Sequence, residues 1–281
     1  MSSPQPSENT ITNYLTIDIE DYFQVSAFEY LVGYENWDKY ASRVEANTKK
    51  ILDILGRYDI KATFFILGWT AKKHQNLVKE IHATGHEIAC HSYCHRLVYK
   101  LTPEEFRKDT SLAKDILEQI TGTQIRGFRA PSYSITNQSL WALQILEELN
   151  FEFDSSIFPI YHDRYGIPEA PRFKYKIPGY NLTEYPISTS LLWRYKIPVS
   201  GGGYFRLFPY WFTKNALNNI NKKEGQPFIF YLHPWEIDDT QPKFHNARWK
   251  SRFRHYNNLH KTASRFERLL SDFKFGPITR T

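Results

Sequence analysis

Residues 90–96 read CHSYCHR, which sets His91 and His95 four residues apart beside Cys90 and Cys94. On a helical turn that spacing puts both imidazoles on one face, as a zinc site requires, but a catalytic zinc wants a third protein ligand. Asp18, Glu20 and Asp21 place three carboxylates within four residues. At the strand period of two, Asp18 and Glu20 share a side, whereas a turn after Glu20 would bring Asp21 in instead. Two histidines and one carboxylate leave an open position for water, and a nearby carboxylate that is not a ligand can serve as general base. Arg129 stands ahead of Ala130-Pro131 and could pair with that carboxylate, holding it ionised. His233 follows the apolar run FIFYL and is either a satisfied core histidine or a general acid aimed into a cleft. Cys90 closes an apolar run and reads as a small buried hydrophobe, while Cys94 could line the site. Their spacing is not the C-x-x-C usual in redox pairs.

These residues need a scaffold that gathers them. Strands are expected at 14–18, 61–68, 86–90, 124–130, 151–156, 182–188 and 227–233. Helices fall between them. One opens on a capping box from Ser42 to Glu45 and meets Gly56. Another, over 76–85, stops at glycine. Thr102, Pro103 and Glu105 make the clearest helix start, and Gly122 ends that helix. Two more span 137–150 and 209–222. About seven alternations of strand and helix imply a parallel α/β sheet, doubly wound or closed into a barrel, with active groups at the carboxyl ends of the strands. Those ends carry DIED, HSYCH, RAPSY and HPWEID. Residues 1–13 read as a flexible N-terminus and 14–281 as one domain, with 161–181 a Pro-rich excursion over one face.

Composition bounds the function. The chain has 281 residues, 41% hydrophobic, 23% charged and 16% aromatic, with a net charge of +6. The basic bias gathers near the C-terminus, where Phe253, Tyr256, Leu259, Phe266, Leu269 and Leu270 recur at roughly helical spacing, so a solvated helix face explains it better than nucleic acid. Two cysteines staple no fold of this size. No apolar run reaches a membrane span, and the polar start MSSPQPSENTITN is unlike a signal peptide, so the expected location is cytoplasmic, with membrane association left open.

The ordered set TIDIED, HSYCH, RAPSY, FDSS and LHPWE resembles the five motifs of the polysaccharide deacetylases, carbohydrate esterase family 4 or the NodB-homology domain. The resemblance implies a distorted (β/α)7 barrel that removes N-acetyl groups from an amino-sugar glycan. It implies a divalent metal: zinc, with cobalt or nickel as alternatives. Asp18 would be the base, oriented by Arg129, and His233 the acid. His91, His95 and either Glu20 or Asp21 would hold the metal. Tyr133, Leu232, Tyr204, Arg206 and Trp235 would meet the substrate: backbone near Tyr133 for the oxyanion, Leu232 for the acetyl methyl, Tyr204 and Arg206 for a sugar face and an anionic group. Asp154 would be a candidate to orient His233. GGGYFR and FRHYNNL further resemble the branch that accompanies bacterial exopolysaccharide and PEP-CTERM sorting loci. Rival expectations are a cyclic amide hydrolase of the allantoinase type on the same fold, and a catalytically silent glycan-binding protein.

Overall fold

The computed structural model describes residues 11–162 and 164–279. Most of the expected flexible N-terminus, residues 1–10, lies outside the described residues, while Thr12 and Asn13 already belong to the first strand. The strands are β1 (Thr12–Ile19), β2 (Thr63–Ile66), β3 (Glu87–Cys90), β4 (Gly127–Phe128), β5 (Phe153–Asp154), β6 (Tyr175–Lys176), β7 (Thr183–Glu184), β8 (Thr189–Leu192), β9 (Tyr195–Pro198), β10 (Ile229–Leu232) and β11 (Lys274–Gly276). The helices are α1 (Glu29–Val32), α2 (Val44–Arg57), α3 (Gly68–Lys73), α4 (Gln75–Ala83), α5 (Pro103–Thr121), α6 (Trp141–Glu148), α7 (Gly202–Leu207), α8 (Tyr210–Lys222), α9 (Trp249–Tyr256) and α10 (Leu259–Asp272).

The main sheet runs β10-β1-β2-β3-β4-β5-β7-β6, parallel except for the terminal β6–β7 pair. Tyr14 pairs with both Ile229 of β10 and Gly276 of β11. The short β11 therefore lies on the edge of β1 that β2 occupies further along. Residues 199–201 come up against the free edge of β10, where the Tyr231 N–H donates to the Ser200 carbonyl at 2.9 Å. The curled sheet is a distorted (β/α)7 barrel, as expected.

Period-two alternation divides the strand side chains between two cores. Leu15, Ile17, Ile19, Phe230 and Leu232 face outward and pack under the helices. Phe65, Ala89, Phe153, Tyr185, Ile229 and Tyr231 fill the barrel interior. A third, aromatic cluster of Tyr22, Phe23, Phe28, Trp37, Trp69 and Trp235 roofs one end.

The triple glycine has a packing reason. A Cβ on Gly201 would sit 2.0 Å from the Tyr231 carbonyl oxygen, and one on Gly202 2.6 Å from the Tyr231 hydroxyl. Gly201 has φ +140 and Gly202 φ +53. Only glycine lets this segment close on β10 in that conformation.

Local signals held unevenly. Thr102 and Glu105 form the reciprocal capping box, and Gly122 ends α5 with φ 68. At α2 the expected Ser42–Glu45 box does not form. Asp21 caps that helix from a distance: its Oδ2 accepts from the Ser42 hydroxyl and the Arg43 and Val44 N–H groups. The strand expected over 182–188 is β7 alone, and the hairpin β8–β9 follows it unannounced. Phe253 of α9 is exposed.

Asp154 does not reach His233. It pairs in register with Glu184 across β5–β7, and both are fully buried. Burial pushes both carboxyl groups up, and the Asp154 charge disfavours that of Glu184 across the strand pair.

His86 is a buried imidazole whose Nδ1 accepts the Ala62 N–H at 3.1 Å. Burial, with Lys61 nearby, lowers its pKa from 6.5 to about 4. The unfolded chain therefore binds a proton that the native state does not between those values. The contribution is present above pH 6.5 and is lost as pH falls towards 4, an effect of about 3 kcal/mol. His86→Gln, which keeps an acceptor, should flatten the loss of stability over that range, measured as urea midpoints against pH.

Candidate active site

The barrel's inward positions bring the expected residues together. Asp18 is in register with Phe65 and points inward with Thr16. Arg129 is fully buried, and its guanidinium meets polar and aromatic partners. Nη1 donates to Asp18 Oδ1 at 2.6 Å and to Thr16 Oγ1 at 2.8 Å. Nε and Nη2 donate to the Ser155 carbonyl and hydroxyl, and the plane lies 4.1 Å from the Phe65 ring centroid. An unpaired buried charge would cost several kcal/mol, so Asp18 and Arg129 hold each other in place.

His91 and His95 do converge, but not on a helix. Residues 91–95 form a loop in which Ser92 and His95 adopt left-handed backbone, φ 65 and 54. Asp109 of α5 holds that loop, accepting from the N–H groups of Tyr93 and Cys94 at 2.7 and 3.1 Å. No sequence motif marked Asp109. The imidazole centroids lie 5.4 Å apart.

Between Glu20 and Asp21 the geometry favours Glu20. One ligand atom each from Glu20, His91 and His95 lies within 4.8 Å of the others, and all three residues are buried. Asp21 is excluded because its carboxylate is committed to capping α2 and to the Tyr22 N–H. The three residues fit a divalent cation. His91 Nδ1 lies 2.7 Å from the Arg129 carbonyl oxygen, which orients Nε2 as the ligand atom. His95 Nε2 and Glu20 Oε2 approach to 2.8 Å, yet Glu20 Oε2 lacks hydrogen-bond geometry to any described residue. A carboxylate oxygen and an imidazole nitrogen this close, with His91 beside them, suit a shared ion. Burial lowers His91 to about 4, so it is neutral near pH 7. Burial alone would raise Glu20, but His95 and His233 beside it hold it down to about 2.

His233 lies on the other side of Glu20, with Nε2 3.1 Å from Glu20 Oε1 and 3.8 Å from Asp18 Oδ2. Its Nδ1 donates to Glu236 Oε1 at 2.6 Å, and its backbone N–H binds the same oxygen. Burial disfavours its charge, but Glu20, Glu236 and Asp18 together raise its pKa to about 9. Glu236 is fully buried and was not recognised in the sequence. Its signal was present in HPWE, as an acid three residues after a strand-end histidine.

Three substrate-side expectations need correction. Leu232 faces the outer core, because the alternation along β10 turns Tyr231 inward instead. Arg206 is bound by Glu236 Oε2 at 2.7 Å and by the carbonyls of Arg254, His255 and Asn257, so it braces Glu236 rather than waiting for an anion. Tyr133 does line the cavity, but its own N–H is not free for an oxyanion, because it donates to the Ala130 carbonyl at 3.0 Å within a tight turn. Trp235 stacks between His233 and His255, with its indole N–H 3.4 Å from Glu20 Oε1. Tyr204 and Trp235 line the cleft with Asp18, Glu20, His91, His95 and His233, around a cavity of about 400 Å³. Cys90 is buried in the outer core and Cys94 is a free thiol that does not line this cavity.

Residues 33–153 match the polysaccharide deacetylase family, and residues 155–281 match a domain of unknown function, DUF3473. Over residues 33–153, less than half of its length, the chain is similar to the polysaccharide deacetylases. A peptidoglycan-N-acetylglucosamine deacetylase of Bacillus cereus is 39% identical over 98 residues, 34% of this chain and 36% of that protein. The chain thus spans about a third of the length of that curated relative. An allantoinase structure superposes with a TM-score of 0.58 at 14% identity, covering 99% of this chain and 91% of the other. A Mycobacterium smegmatis protein assigned to the polysaccharide deacetylases gives 0.57 at 18% identity, covering 100% and 98%. These two likenesses concern the fold. Among the described residues no helix is long and apolar enough to cross a membrane.

The roles of the adjacent acids separate experimentally. Glu20→Gln should weaken zinc binding at least about a hundredfold while leaving the melting temperature near that of the parent. Asp21→Ala should lower stability by about 1–3 kcal/mol and keep the zinc stoichiometry. Zinc titration against a chromophoric chelator and urea unfolding read the two effects.

Proposed function

We propose that this protein is a metal-dependent N-deacetylase that releases acetate from an amino-sugar glycan, either a polysaccharide or its lipid-linked precursor. The observation that carries the reading is the gathering of Glu20, His91 and His95 in one cavity, with Asp18 and His233 beside them. A divalent cation held by Glu20, His91 and His95 would acidify water and polarise an amide carbonyl.

The chain's own residues supply the proton transfers. Arg129 fixes one oxygen of Asp18, leaving Oδ2 turned towards the cavity as acceptor for the proton of the attacking water. Glu236 holds His233 Nδ1, so the imidazolium presents Nε2–H to the leaving nitrogen. The amide C–N bond breaks as nitrogen gains that proton, and acetate departs. Tyr231 and Trp235 wall the cavity where an acetyl group would enter. The oxyanion relies less on backbone than expected, because the Tyr133 N–H is already bonded.

Acetate release from N-acetylglucosamine oligomers tests the reading. Chelation should abolish turnover, and zinc or cobalt should restore it. Asp18→Asn and His233→Gln should each lower kcat by about 10²–10⁴-fold, with less effect on zinc affinity than His91→Ala. Turnover that is indifferent to metal, or that survives His91→Ala, would overturn it.

A further inference from the structure

Among the described residues, the charges lining the cavity do not balance. Asp18 is paired with Arg129, and Glu20 lies against His95 and His233. Arg206 is paired with Glu236. Two more guanidinium groups line the same cavity, Arg164 from the 161–181 excursion and Arg254 from α9, and no described carboxylate pairs with either. Arg164 is positioned rather than loose. Its Nη2 donates to Ser26 Oγ at 3.2 Å, and Ser26 Oγ meets Ser132 Oγ at 2.7 Å. Those serines also line the cavity, and Ser132 lies in the RAPSY turn that follows Arg129.

A second cavity of about 340 Å³ adjoins the first, and Arg164 and Tyr165 belong to the walls of both. Thr136, Asn137 and Gln138 give it polar sides, as a hydroxyl-rich ligand needs. The two cavities meet at shared walls, with an arginine at the junction. A planar guanidinium with free N–H groups recognises carboxylate or phosphate in bidentate fashion.

We propose that the substrate carries an anionic group, a carboxylate or a phosphate, on the unit next to its acetamido sugar, and that Arg164 and Arg254 bind it. This rests on the deacetylase reading for the acetamido sugar, but the anion site itself does not depend on turnover.

The test compares three ligands on the full-length chain: a neutral N-acetylglucosamine tetramer, an oligomer alternating N-acetylglucosamine with glucuronate, and N-acetylglucosamine 1-phosphate. Calorimetry on chelated protein reads binding, and acetate release on zinc-loaded protein reads KM. One anionic ligand should bind at least about tenfold tighter than the neutral tetramer, less so at high salt. Arg164→Gln and Arg254→Gln should each remove most of that preference without changing neutral binding, and Arg164→Lys should keep part of it. Preference for the uronate oligomer assigns the charge to a neighbouring sugar acid; preference for the phosphate assigns it to an activated or lipid-linked precursor. Equal affinity for all three ligands, or equal losses on neutral and anionic ligands, would overturn the proposal. Absence of acetate release from every ligand would overturn the deacetylase reading alone, because the calorimetric preference stands or falls separately.

Discussion

The buried Arg129–Asp18 pair is the contact on which the site's geometry depends. A guanidinium at the centre of a barrel is tolerable only if each N–H finds an acceptor, and Arg129 draws its acceptors from β1 and from the segment after β5. Its own carbonyl meanwhile orients His91. One residue thus fixes an oxygen of the proposed base and the ring of a proposed ligand, so these two elements cannot shift independently. The aromatic face of Phe65 completes the enclosure without adding a competing acceptor.

Much of this was legible in the sequence because it follows from periodicity. Asp18 lies on β1 and Glu20 one residue past its end, so the strand alternation carries both to the same side, and other strand ends supply Arg129 and His233. The same rule, applied to Leu232, would have turned it outward once Tyr231 was known to face in; only the direction of the whole strand was missing. His91 and His95 were gathered correctly but by the wrong device. The four-residue spacing suggested a helix, whereas left-handed turns at Ser92 and His95, tied to Asp109, do the work.

What remained hidden was long-range. Ser42 and Glu45 satisfied a local capping rule, yet Asp21, distant in sequence, displaced it because a carboxylate accepting several N–H and O–H groups binds them more strongly than a hydroxyl can. Arg206 looked available because Glu236 is far away in the chain and its burial cannot be read locally. The close approach of Gly201 and Gly202 to Tyr231 is likewise a property of two segments and not of either alone.

Asp154 stands at the join between the two family matches, and its partner Glu184 belongs to the second. Both stretches supply strands to one continuous sheet. The imidazoles of His91 and His95 come from the first stretch, while His233 and Glu236 come from the second. Cutting the chain at that join would yield neither a smaller working unit nor a separate accessory module, since each fragment would expose a half-barrel and leave behind part of the other's chemistry.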